Sequence, residues 1–107
     1  MSASRPVITL GILGSYARSD IQYNVNTYIG QSFQDFELIF CFDRLQCIPV
    51  SDIIDTLNAH SFAAENRVKI LENADNEGLV CNAMRIVEEA RGKYIFFLSL
   101  EDAFYDT

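Results

Sequence analysis

The stretch FELIFCFD (residues 36–43) is a near-continuous apolar run that stops at an acid. A run so short and so solidly apolar reads as a strand buried on both faces, the kind found inside parallel sheets. YIFFL (94–98) repeats the pattern and is followed closely by Glu101 and Asp102. It too is expected to be buried on both faces. PVITLGIL (6–13) is a third apolar run rich in β-branched residues, broken by Gly14 and Ser15, and RVKIL (67–71) alternates polar and apolar as a strand does.

Between these runs the apolar period changes to that of a helix. Ser19 can cap a first helix, with Asp20 in its first turn and Ile21, Val25, Tyr28 and Ile29 on one face; Gly30 ends it. Ser51 and Asp52 open a second helix carrying Ile53, Ile54 and Leu57. Leu79, Val80, Ala83, Val87 and Ala90 predict the buried face of a third, with Gly92 as its C-terminal cap. The order is β-α-β-α-β-α-β. The expected fold class is therefore α/β, Rossmann-like, with a mainly parallel sheet in three α/β/α layers and right-handed crossovers. Residues 1–107 read as one unit, without repeat or linker.

Composition narrows the function. The chain has 107 residues, half of them hydrophobic, enough for one folded domain with a modest core. Fifteen acids against eight bases, a net charge of −7, suit neither nucleic acid nor an anionic membrane surface. No apolar run approaches the roughly 20 residues of a membrane span, and the N-terminus lacks the apolar core of a signal peptide. Cys41, Cys47 and Cys81 show no paired spacing and read as reduced thiols, at least two of them buried. The only histidine, His60, falls in the second helix region, where packing or surface exposure is the expected role. Reduced cysteines and no signal point to the cytoplasm.

In open parallel sheets, ligands bind beyond the carboxyl ends of the strands. Residues 14–18, Asp43 and the pair Glu101 and Asp102 all fall there. Two readings stand open for the acids. Glu101 and Asp102 either begin a turn or supply oxygen ligands to a hard cation such as Mg²⁺ or Mn²⁺, which often bridges to a diphosphate. Asp43 is either a strand-end turn residue or an acceptor for a ligand N–H. Phosphate-cradling glycine motifs and a nucleophile elbow are both missing from the sequence.

Four stretches together resemble the N-terminal, nucleotide-sugar-binding part of the GT-A-fold, family 2 type inverting glycosyltransferases: PVITLGILGSY, GQSFQDFELIFCFD, NADNEGLVCNAMRIVEEARGKYI and FFLSLEDAFYD. The second and third are the specific ones, and the likeness covers nearly the whole chain. The resemblance implies that Tyr16, or Ser15 beside it, lines the base pocket and that Asp43 accepts a hydrogen bond from the uracil ring. It places Ser99 on the first Asp of the family's D-x-D motif, Leu100 on its spacer and Glu101 on its last Asp, the ligand of Mg²⁺ or Mn²⁺. Asp102 matches the acid that follows. Further departures are Phe42 in place of an Asp, and Ala83 and Met84 where the family often carries Arg-Asn.

The implied activity is glycosyl transfer from an NDP-sugar, most simply a UDP-sugar, to the hydroxyl of a saccharide or lipid-linked acceptor, as in polysaccharide biosynthesis. The family's catalytic base and acceptor site lie downstream of D-x-D, so both are expected beyond Thr107. A portion of such a domain is expected to expose an apolar side and to self-associate. The competing expectation is a non-catalytic binding module of the same fold.

Overall fold

A computed structural model describes residues 6–14, 21–43, 50–59, 67–75, 77–100 and 104. Seven elements alternate along them: β1 (Ile8–Leu13), α1 (Ile21–Ile29), β2 (Phe36–Asp43), α2 (Val50–Ala59), β3 (Val68–Asn73), α3 (Gly78–Glu89) and β4 (Tyr94–Ser99). All four strands are parallel, in the order β3-β2-β1-β4. The chain steps outward from β1 to β2 to β3, then returns across the sheet to place β4 on the other side of β1.

That reversal decides where the helices go. A right-handed crossover moving in the opposite direction must use the opposite face. The even-numbered side chains Leu10 and Ile12 of β1 and Phe36, Leu38, Phe40 and Phe42 of β2 pack with Val25, Tyr28 and Ile29 of α1 and Ile53 and Leu57 of α2. The odd-numbered Ile39 and Cys41 pack instead with Ile86 of α3. The two core layers are thus separated by the strand period of two. β2 lies between β1 and β3 and has helices over both faces, and all eight of its residues are buried.

β4 departs from expectation. It is an edge strand among the described residues, with Tyr94 and Phe96 58% exposed and Phe97 44% exposed. Its apolarity is that of an interior strand, but α3 packs over β2 and β1 and leaves β4 open. The face expected for α3 is also corrected. Its buried residues are Asn82 and Ile86, while Leu79, Val80 and Val87 are more than half exposed. Asn82 bonds Asp43 and Ile86 packs on Ile39 and Cys41, which sets that face inward, while Lys69 on β3 and Glu89 form an exposed pair at 3.1 Å. Ile54 of α2 is likewise exposed. Cys41 is buried and Cys81 exposed, both free; Cys47, His60, Ser19 and Asp20 lie outside the described residues.

Gly92 is not the helix cap. The C-cap of α3 is Ala90, in extended conformation. Gly92 is required by close approach: a Cβ there would lie 2.4 Å from Thr9 Oγ1 and 2.5 Å from the Thr9 backbone nitrogen. This contact belongs to a polar latch at the amino ends of the strands. Buried Glu37 of β2 accepts hydrogen bonds from Thr9 Oγ1 (2.7 Å), the Arg91 amide (2.6 Å), Arg91 Nε (3.2 Å) and the Gly92 amide (3.3 Å). One carboxylate therefore ties β1, β2 and the α3–β4 turn together. Burial by itself would raise its pKa, but the bonds from Thr9 and Arg91 outweigh burial and hold the carboxyl below the ordinary glutamate range.

Candidate functional site

At the carboxyl ends of the strands the first described functional candidate is Asp43, the last residue of β2. It is buried, and its carboxylate gathers donors from two neighbouring elements. Oδ1 accepts from Asn73 Nδ2 at the end of β3 (3.0 Å) and from Asn82 Nδ2 on α3 (3.2 Å). Oδ2 accepts from the Gly78 amide at the start of α3 (3.0 Å). Gly78 has φ of 86°, a left-handed conformation that side chains resist, and this turns its N–H toward Asp43.

The N-cap residue of α3, Glu77, makes no side-chain cap bond. Asp43 does that work from a neighbouring strand, its charge facing the positive end of the helix dipole. Burial pushes its pKa up, but the donors from Asn73, Gly78, Asn82 and the Glu77 backbone more than reverse this and lower it. The network continues outward. Asn73 Nδ2 also donates to Asn82 Oδ1, and Arg85 Nη1 donates to Asn73 Oδ1. Beneath it, burial raises the pKa of the Cys41 thiol and so disfavours the nucleophilic thiolate.

β4 supplies the second candidate position. Ser99 pairs in register with Leu13 of β1, which pairs on its other side with Cys41 of β2. Asp43, two residues past Cys41, and Ser99 thus flank the end of β1 from opposite sides, about 12 Å apart by strand spacing and rise. The order in which strands are added reverses between β1 and β4, so this is the topological switch point, where open α/β sheets form their ligand crevice.

The residue after Ser99 is more than a spacer. Leu100 is fully buried in the α1–α2 core layer, and its amide donates to Leu13 O at 2.9 Å. Its carbonyl accepts from Asn24 Nδ2 of α1 (2.9 Å) and Tyr28 Oη (3.5 Å), and Tyr28 Oη also reaches Ser99 O (3.3 Å). The chain that leads into the acid pair therefore starts from a fixed point. Ser15, Tyr16, Glu101 and Asp102 lie outside the described residues. Among the described residues, no group of three His, Cys, Asp or Glu is placed to hold a metal ion.

Sequence reasoning missed Asn24, Asn73 and Asn82. Asn82 was within reach, since Gly78, Asn82, Ile86 and Ala90 recur at i+4 and mark the true inner face of α3. Asn24 and Asn73 carried no such signal, because a buried asparagine is defined by its partners.

No protein-family model matches the sequence, and no curated protein matches it. Solved structures do. The chain is similar to S. aureus TarS, with a TM-score of 0.61 and 19% identity over 89% of this chain and 17% of that one. It is also similar to the mannosyltransferase PcManGT from Pyrobaculum calidifontis in complex with GDP-Man and Mn²⁺, with a TM-score of 0.64 and 9% identity over 94% of this chain and 29% of that one. The fold is glycosyltransferase-like. At these identities the likeness establishes the fold alone, and the chain spans less than a third of either structure's length.

Proposed function

We propose that the chain is the nucleotide-sugar-binding portion of a glycosyltransferase. It would take an NDP-sugar, UDP-sugar by the motif resemblance, in the crevice between the ends of β1, β2 and β4. The observation that carries the reading is the switch point itself, with Asp43 and Ser99 on either side of β1, in a fold shared with a mannosyltransferase bound to GDP-Man and Mn²⁺. Asp43, Ser15, Tyr16 and Ser99 are the residues assigned to the nucleotide. An acceptor hydroxyl on a saccharide or lipid-linked glycan and a cytoplasmic setting complete the reading.

Glu101 and Asp102 are assigned to a divalent cation. Their two carboxylates would supply oxygen-only ligands, the donor chemistry that Mg²⁺ or Mn²⁺ takes together with diphosphate oxygens. When bound, the cation neutralises charge on the leaving diphosphate. Asp43 contributes differently: its ionised carboxylate sets the position of α3 and of Asn73 and Asn82 at the rim.

Calorimetric titration of UDP and of GDP, with Mn²⁺ and then with EDTA, tests the proposal. Mn²⁺-dependent binding that Glu101→Ala abolishes is the expected result. Binding that ignores EDTA, or none in a chain shown to be folded, counts against it. Asp43 supports a second reading, a non-catalytic module of the same fold, because its carboxylate already receives several protein donors. Ala83 and Met84 point the same way. Absence of nucleotide binding in a longer chain would favour that module.

A further inference from the structure

We infer that Arg85 of α3 reads the nucleobase in place of Asp43, and that it selects a base with two adjacent acceptor atoms, such as guanine, over uracil. The inference rests on the nucleotide-binding reading and deepens it. It starts from a count of lone pairs. An ionised carboxylate offers about four acceptor sites. On Asp43, Oδ1 takes Asn73 Nδ2 and Asn82 Nδ2, Oδ2 takes the Gly78 amide, and the Glu77 backbone adds a further donor. Asp43 is also only 3% exposed. The ring N–H of uracil would have to displace a donor that holds β3 or α3 in place and leave it unsatisfied.

What this network turns outward is a donor. Asn73 pairs in register with Asp43, one strand spacing farther out on β3. Its Nδ2 is spent on Asp43 and Asn82, and its Oδ1 accepts from Arg85 Nη1. Arg85 is exposed. Its guanidinium carries five N–H groups in a planar fork, more than Asn73 and the neighbouring Cys41 sulfur take up. The tether to Asn73 holds that fork at the carboxyl end of the sheet, beside Asp43. Among the described residues it is the only cation at that end: Arg67, Arg91 and Lys93 precede strands, and Lys69 is paired with Glu89. In a chain of net charge −7, it is the described group there that attracts an anionic nucleotide.

A planar fork pairs bidentately with two acceptors side by side, as with O6 and N7 of guanine. N3 and O2 of cytosine offer the same chemistry. Uracil sets its N3–H donor beside each carbonyl, and adenine sets an amine beside N7, so the fork gains only one bond from either. Uracil needs an acceptor for N3–H, and the nearest one, Asp43, is already committed.

Calorimetry with Mn²⁺ compares GDP, CDP, UDP and ADP on the whole chain, on Arg85→Gln and Arg85→Lys, and on the exposed α3 control Val87→Ala. GDP or CDP is expected to bind about 10–100-fold tighter than UDP and ADP, and the two arms say which paired-acceptor base is meant. Both Arg85 variants are expected to erase that difference with little change for UDP, and Val87→Ala to keep it. Equal losses for all four nucleotides would show that Arg85 only holds Asn73 or contacts the diphosphate, and refute base reading. UDP binding as tightly as GDP and CDP refutes it too, while leaving the nucleotide site standing. No binding of any of the four to a folded chain removes the nucleotide site, and the role of Arg85 with it.

Discussion

Replacing Glu37 by alanine tests whether the polar latch holds the sheet to the α3–β4 turn. The side chain is 3% exposed and accepts four hydrogen bonds. Alanine removes every acceptor and leaves the Thr9 hydroxyl and the Arg91 and Gly92 amides to find others. Gly92 retains a bond to Thr9 Oγ1 at 2.9 Å, so its loss is partial. The Arg91 guanidinium is 38% exposed, and solvent reduces that pair to about 0–1 kcal/mol. Two charge-assisted bonds to buried donors, at about 1.5 kcal/mol each, and a fraction of a third give about 3–4 kcal/mol. That is a large part of the roughly 5–15 kcal/mol by which domains are stable. Urea unfolding at pH 7, followed by circular dichroism, measures it. Glu37→Gln keeps one acceptor oxygen and is expected to cost about half as much. A Glu37→Ala loss under 1 kcal/mol, with the denaturant slope unchanged, would show that water replaces the latch and refute the reasoning.

Three further outcomes are expected. Glu37 and Asp43 both have pKa values lowered on folding, so the stability they confer is complete above the ordinary carboxylate range near pH 4 and is lost as pH falls through that range toward the lowered values; unfolding midpoints measured from pH 7 down to 3 should drop steeply below about pH 4.5, and less so in Glu37→Gln. Gly92→Ala forces a Cβ against the β1 backbone and should destabilise by about 1–3 kcal/mol or more in thermal melts, whereas Gly30→Ala, whose nearest neighbour lies at 3.0 Å, should cost less. The exposed aromatics Tyr94, Phe96 and Phe97, beside an apolar cavity of about 320 Å³ lined by Phe33, Phe36 and Leu98, should drive self-association; light scattering is expected to show oligomers, and a clean monomer at high concentration would contradict it.

Periodicity carried the element order because it reports local geometry. Apolar runs of strand length alternating with helical spacing leave few arrangements other than a parallel sheet layered by helices, and β2 met that reading residue by residue. Asp43 was legible as a strand-end acid for the same reason. Which neighbours each element meets is a different kind of information. The run at Tyr94–Ser99 is as apolar as β2, yet it stands at an edge, because strand order is set by crossover direction and not by composition. The inner face of α3 went to Asn82 and Ile86, against the more apolar flank, since Asn82 bonds the carboxylate of Asp43 and Ile86 packs on Ile39 and Cys41. Gly92 looked like a cap and proved to be a point of backbone contact. Leu100 looked like a spacer and proved to be a core residue held by Asn24 and Tyr28, some seventy positions away in the chain. Sequence by itself determined the alternation of elements and the end of the sheet where acids collect, because both follow from short-range pattern. Only the tertiary structure decided which polar groups are satisfied by one another, because a hydrogen bond between distant residues exists only once the chain has folded to bring them within about 3 Å.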